Sequence, residues 1–107
     1  MGTVRWDACK YARNRGSGPG VMPGEFYSSG ITTSSTTASD LDDGAAGAGS
    51  DVTFPVGVVL HLTCDELCRV SIGGVAATVN SGFLLQPGVA RDIEITTAGT
   101  VSVCDEA

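Results

Sequence analysis

The sequence predicts an all-β protein, a small antiparallel β-sandwich or barrel preceded by an extended N-terminal arm. Two observations predict it. Apolar and polar residues alternate with a period of two along the C-terminal half, the pattern of half-buried strands. Turn residues break that alternation at short intervals, leaving six short strands in about fifty residues.

Val56, Val58, Leu60 and Leu62 alternate with Gly57, Val59, His61 and Thr63 in the first strand. Cys68, Val70 and Ile72 alternate with Arg69 and Ser71 in the second, which Gly73-Gly74 ends. Val75–Val79 and Phe83–Leu85 flank Asn80-Ser81-Gly82, a hairpin turn. Gln86-Pro87-Gly88 makes the next turn, because proline presets one turn dihedral and glycine accepts positive φ. Ile93 and Ile95 alternate with Asp92 and Glu94, and Ala98-Gly99 turns the chain before Val101 and Val103. Arg69, Arg91, Asp92 and Glu94 are expected to face water, and Asp105-Glu106 to form an exposed tail.

Composition divides the 107 residues into three regions. Residues 1–27 form a basic, aromatic arm with four of the six aromatics, and Trp6–Arg13 is compatible with a helical turn. Residues 28–53, nearly all Ser, Thr, Gly, Ala and Asp, read as an extended linker with too little apolar surface to offset ordering entropy. Residues 54–107 are the β-sandwich domain. Fifty residues make a marginal core, so the linker is expected to add an edge strand, or several copies to associate, or both.

Charge narrows the partners. The chain carries a net charge of -6, which disfavours nucleic acid because phosphate neutralisation requires a basic face. Residues 1–16 run against that total, with Arg5, Lys10, Arg13 and Arg15 opposing only Asp7. No apolar stretch is long enough to span a membrane, and no secretory signal is visible. Trp, Tyr and Arg dominate protein contact energies, so Arg5, Trp6, Lys10, Tyr11, Arg13, Arg15, Phe26 and Tyr27 are the candidate partner-binding residues.

The residues offer no catalytic constellation, and no enzyme activity, cofactor or metal is expected. His61, the one histidine, sits in an apolar strand on the face opposite Leu60 and Leu62. Asp40, Asp42, Asp43 and Gly44 resemble a calcium loop but miss its glycine and final glutamate, so they read as a solvated acidic loop. Cys9, Cys64, Cys68 and Cys104 allow three readings: reduced packing residues, a disulfide, or a zinc site of Cys64, Cys68 and Cys104 with His61 at an unusual spacing. Cys64 and Cys68 flank Asp65-Glu66-Leu67, which reads as a hairpin turn bringing them close.

Several motifs in the second half together resemble a family. Leu62 to Gly74 (LTCDELCRVSIGG), then Ala76-Ala77-Thr78, Gly82 to Gly88 (GFLLQPG) and Ile93–Val103 are similar to small accessory virion proteins of tailed bacteriophages. In these a strand ending C-x-V-x-I-G precedes an Ala/Thr-rich segment, a turn and a closing strand, and the Ser/Thr-rich lead-in Ser34–Ser39 is similar too. The resemblance covers roughly residues 50–104, and the basic aromatic start has no counterpart in it. It implies a β-sandwich on the virion surface, assembled in the host cytoplasm, as a capsid decoration or cement protein. The major capsid protein is then the expected partner, with self-association. The alternative is a tail- or fibre-associated sandwich that binds host-surface carbohydrate.

Overall fold

The computed structural model describes residues 2–13, 21–44, 50–78 and 81–106, with backbone only for 11–13 and 21–26. Two four-stranded antiparallel sheets face each other. The first has the order β2-β1-β5-β8, with β2 Val21–Ser34, β1 Gly2–Arg13, β5 Val58–Cys64 and β8 Arg91–Glu94. The second has the order β3-β10-β6-β7, with β3 Ser39–Asp40, β10 Ser102–Asp105, β6 Cys68–Ser71 and β7 Phe83–Leu85. A two-stranded clip pairs β4 Thr53–Phe54 with β9 Gly99–Thr100. All strand pairs are antiparallel, and no helix occurs among the described residues.

The N-terminal segment is extended, but it does not precede the sandwich. As β1 it lies inside the first sheet, between β2 and β5, with Val4 opposite Cys64 and Lys10 opposite Val58. Val4, Trp6 and Ala8 point inward and are buried, while Arg5 and Asp7 point out. The helical turn over Trp6–Arg13 is therefore replaced by a strand. Period-two burial of Val4, Trp6 and Ala8 outweighs a helical preference that local sequence supports only weakly.

The Ser/Thr-rich segment supplies edge strands, as the marginal size of the core requires. Residues 28–34 complete β2, where Thr32 and Ser34 turn inward and are buried. Leu41, beyond β3, is fully buried and joins Phe54, Leu60, Leu62, Val70, Leu85, Ile95, Val101 and Val103 in the core. This side of the sandwich is stitched shut. Ile31 N donates to Gly44 O at 2.9 Å, Asp42 N to Thr32 Oγ1 at 3.1 Å and Leu41 N to Val101 O at 2.8 Å. Asp42 is buried rather than solvated, and its Oδ1 accepts from Gly44 N at 3.3 Å.

Other local expectations change with context. Val56 is 60% exposed in the turn before β5, where Gly57 adopts φ +99°. Residues 75–78 form no strand; an isolated bridge joins Thr78 to Ser81, and Val79 and Asn80 lie outside the described residues. Gly99 starts β9 instead of turning the chain. The Asp65-Glu66-Leu67 turn is not a hairpin, because β5 and β6 belong to different sheets and the chain crosses between them here. Asp105 and Glu106 are not a free tail: Asp105 is buried in β10, and Glu106 receives Arg69 Nε and Nη2 at 3.2 and 3.3 Å. Arg69 is accordingly only partly exposed.

Candidate partner-binding hairpin

β1 and β2 form a hairpin that outruns the sheet carrying it. Pairing of β1 with β5 stops at Lys10–Val58, whereas pairing with β2 continues through Tyr11–Pro23 and Ala12–Met22 to Arg13–Val21. Register shifts at Ala8/Cys9 and Cys9/Tyr11 mark where the hairpin leaves the sandwich. Such bulges sharpen the local twist and re-aim a strand. The molecule measures 44 × 25 × 24 Å along its principal axes.

This register gathers part of the candidate set. Lys10, Tyr11 and Arg13 lie on one arm of the hairpin, and Phe26 lies opposite Cys9 on the other. Three other candidates are placed differently. Arg5 is exposed on the outer face of the sheet, opposite Ile31 and Thr63. Trp6 is 4% exposed and belongs to the core, so it is a packing residue and not a docking anchor. Its ring meets Phe54 edge-on, with centroids 5.2 Å apart, and Nε1 donates to Asp42 O at 3.0 Å. Tyr27 is partly exposed but leans on Phe54 at 6.4 Å, its hydroxyl 3.5 Å from Thr53 O. Arg15 and the side chains of Tyr11, Arg13 and Phe26 lie outside the described residues.

A polar group on the outer face of the same sheet escapes the sequence reading. Asp7, His61 and Asp92 stand side by side on β1, β5 and β8. His61 Nδ1 lies 2.6 Å from Asp92 Oδ1, and both side chains are about half exposed. These three residues line a shallow pocket of about 120 Å³ with Cys9 and Val59. Strand alternation turns His61 outward, but its neighbours follow only from the register of three strands. Asp92 fixes the imidazole's orientation.

The cysteines divide by strand parity. Cys64 and Cys68 face the core and Cys9 the outer pocket, while Cys104 donates to Thr36 O at 3.2 Å. Burial pushes the Cys64 thiol up, and pushes Cys68 up to about 12. His61 points away from Cys64 and Cys68, so the four residues weighed for zinc do not converge. Among the described residues no group of three or more His, Cys, Asp or Glu side chains is arranged to hold a metal ion. Nor is any described helix long and apolar enough to cross a membrane.

No family model, curated protein or solved structure matches the chain.

Proposed function

We propose that this protein is a structural virion protein of a tailed bacteriophage, a capsid decoration protein that docks on the outer surface of the head. The projecting β1–β2 hairpin carries this reading. It carries Tyr11 and Arg13 past the last β1–β5 pair, with Lys10 and Phe26 at the rim where the hairpin departs from the sheet. Protein surfaces are recognised through arginine and aromatic anchors of this kind. The acidic balance of the chain disfavours contact with packaged DNA, which agrees with docking on the outside of the head. The similarity of residues 50–104 to accessory virion proteins supports the same reading.

The test is binding of the purified chain to empty phage heads. Replacing residues 12–22 by an Asn-Gly turn should lower occupancy at least tenfold while the far-ultraviolet spectrum stays β-rich. The charge-reversal pair K10E/R13E should weaken binding in a salt-dependent way. Undiminished occupancy by both variants overturns the docking mode. Binding to glycans but not to heads would favour the fibre-associated reading. Against that reading, Phe83, the one aromatic beyond Phe54, has the Arg91 guanidinium over its ring.

A further inference from the structure

We propose that Cys64 and Cys68 form a disulfide that joins the two sheets of the sandwich at the β5–β6 corner. Cys64 ends β5 in the first sheet and Cys68 begins β6 in the second. Both are free thiols that face the core, 7% and 0% exposed, at the two ends of the three-residue corner Asp65-Glu66-Leu67. The corner between them is held from three directions. Asp65 N donates to Thr3 O at 3.3 Å, Gly88 N to Cys64 O at 3.0 Å and Glu106 N to Leu67 O at 2.8 Å.

Strand parity selects this pair over the alternatives. Cys104 stands opposite Arg69, one register position from Cys68, and its thiol is engaged by the Thr36 carbonyl. Cys9 lines the pocket on the outside of the first sheet. A core of this size commonly relies on a covalent staple, and the corner is where one would tie sheet to sheet. The inference does not depend on capsid docking, although a particle released from its host meets the oxidising surroundings in which such bonds persist.

The chemistry needs an external two-electron oxidant, here a low-molecular-weight disulfide such as oxidised glutathione. One cysteine thiolate attacks it, releasing one glutathione thiol and leaving a mixed disulfide. The second cysteine then displaces the other glutathione, so two protein thiols lose two protons and two electrons while two glutathione thiols are produced. Burial disfavours the thiolate, so exchange is slow in the closed fold and proceeds as the chain folds or as the corner opens.

The full-length chain, refolded in a glutathione redox buffer and then alkylated, provides the test. The expected product is 2 Da lighter before alkylation. After trypsin, the peptide ending at Arg69 should carry no alkyl group, while Cys9 and Cys104 carry one each. The C9S/C104S variant should retain the bond, and C68S should lose it. Reduction should lower the Tm of the wild type by several degrees and leave that of C64S/C68S unchanged. Four alkylated cysteines in chain refolded to the β-rich spectrum, or a bond from Cys68 to Cys104, would overturn the assignment.

Discussion

The indole Nε1 of Trp6 donates to the backbone carbonyl of Asp42 at 3.0 Å, joining the middle of the first sheet to the segment that closes the sandwich. Gly30 makes the contact possible. It lies opposite Trp6 in β2, and a Cβ there would collide with the Asp42 carbonyl and the indole nitrogen. One residue from each of the three compositional regions thus meets at a single hydrogen bond or beside it: Trp6, Asp42 and, in the core cluster, Phe54.

Trp6→Ala should therefore cost roughly 3–5 kcal/mol, the range for truncating a buried aromatic. Trp6→Phe retains most of the packing but leaves the Asp42 carbonyl without its donor, a loss of about 1–3 kcal/mol. Gly30→Ala should destabilise by forcing the same carbonyl away. Urea unfolding followed by the emission of Trp6, the one tryptophan of the chain, measures all but the variants that remove it, and circular dichroism measures those.

Alkaline pH should destabilise the reduced protein. Cys68 is held protonated by burial, to about 12 from an ordinary value of 9.0, and Cys64 is shifted the same way. In the unfolded chain both thiols ionise near their ordinary value. The folded state binds the extra protons, so this contribution is complete below pH 9 and is lost as the pH climbs from about 9 towards 12. The urea midpoint in the presence of a reductant should fall between pH 8.5 and pH 10.5, roughly along this linkage. The decline should be smaller in C64A/C68A.

Arg91 shields one end of the second sheet. Its Nη1 donates to the Leu84 carbonyl of β7 at 2.9 Å, and its guanidinium lies 5.1 Å above the Phe83 ring. β7 ends its sheet as β8 ends the other, so this flank presents two strand edges. Exposed edges invite pairing with another chain, and charged side chains blunt them. Arg91→Ala should increase concentration-dependent self-association, seen by light scattering, with Phe83→Ser in the same chain reversing part of it.

The Arg69–Glu106 ion pair should be worth more than an ordinary surface pair. It is bidentate and both side chains are about three-quarters covered. Glu106→Gln is expected to lower stability by about 1 kcal/mol and to make the Tm less sensitive to salt than in the wild type.

Legibility in the sequence followed the strength of periodicity. β5 through β7 are visible because Leu60, Leu62, Val70 and Leu85 repeat against clear turn residues. β1 carries the same signal in Val4-Arg5-Trp6-Asp7-Ala8, but the basic charges and the aromatic ring draw attention to docking and away from alternation. β2 and β3 lack it altogether. Thr32 and Ser34 are buried through what surrounds them, so composition alone assigns them to a linker. The Asp7, His61 and Asp92 row depends on strand register, which no local pattern encodes. The spacing of Cys64 and Cys68 does suggest a turn between them, but a hairpin and not the crossing from one sheet to the other.

Placing β1 between β2 and β5 also orders events in time. The hairpin is local and can form early, yet its inward stripe of Val4, Trp6 and Ala8 stays uncovered until later segments, Leu41 and Phe54 among them, pack into the same core. A chain emerging from the ribosome therefore holds its first strands ready for a partner that arrives late. Such non-local closure makes for slow folding, and it leaves the nascent hairpin open to the wrong neighbours when many copies are synthesised at once.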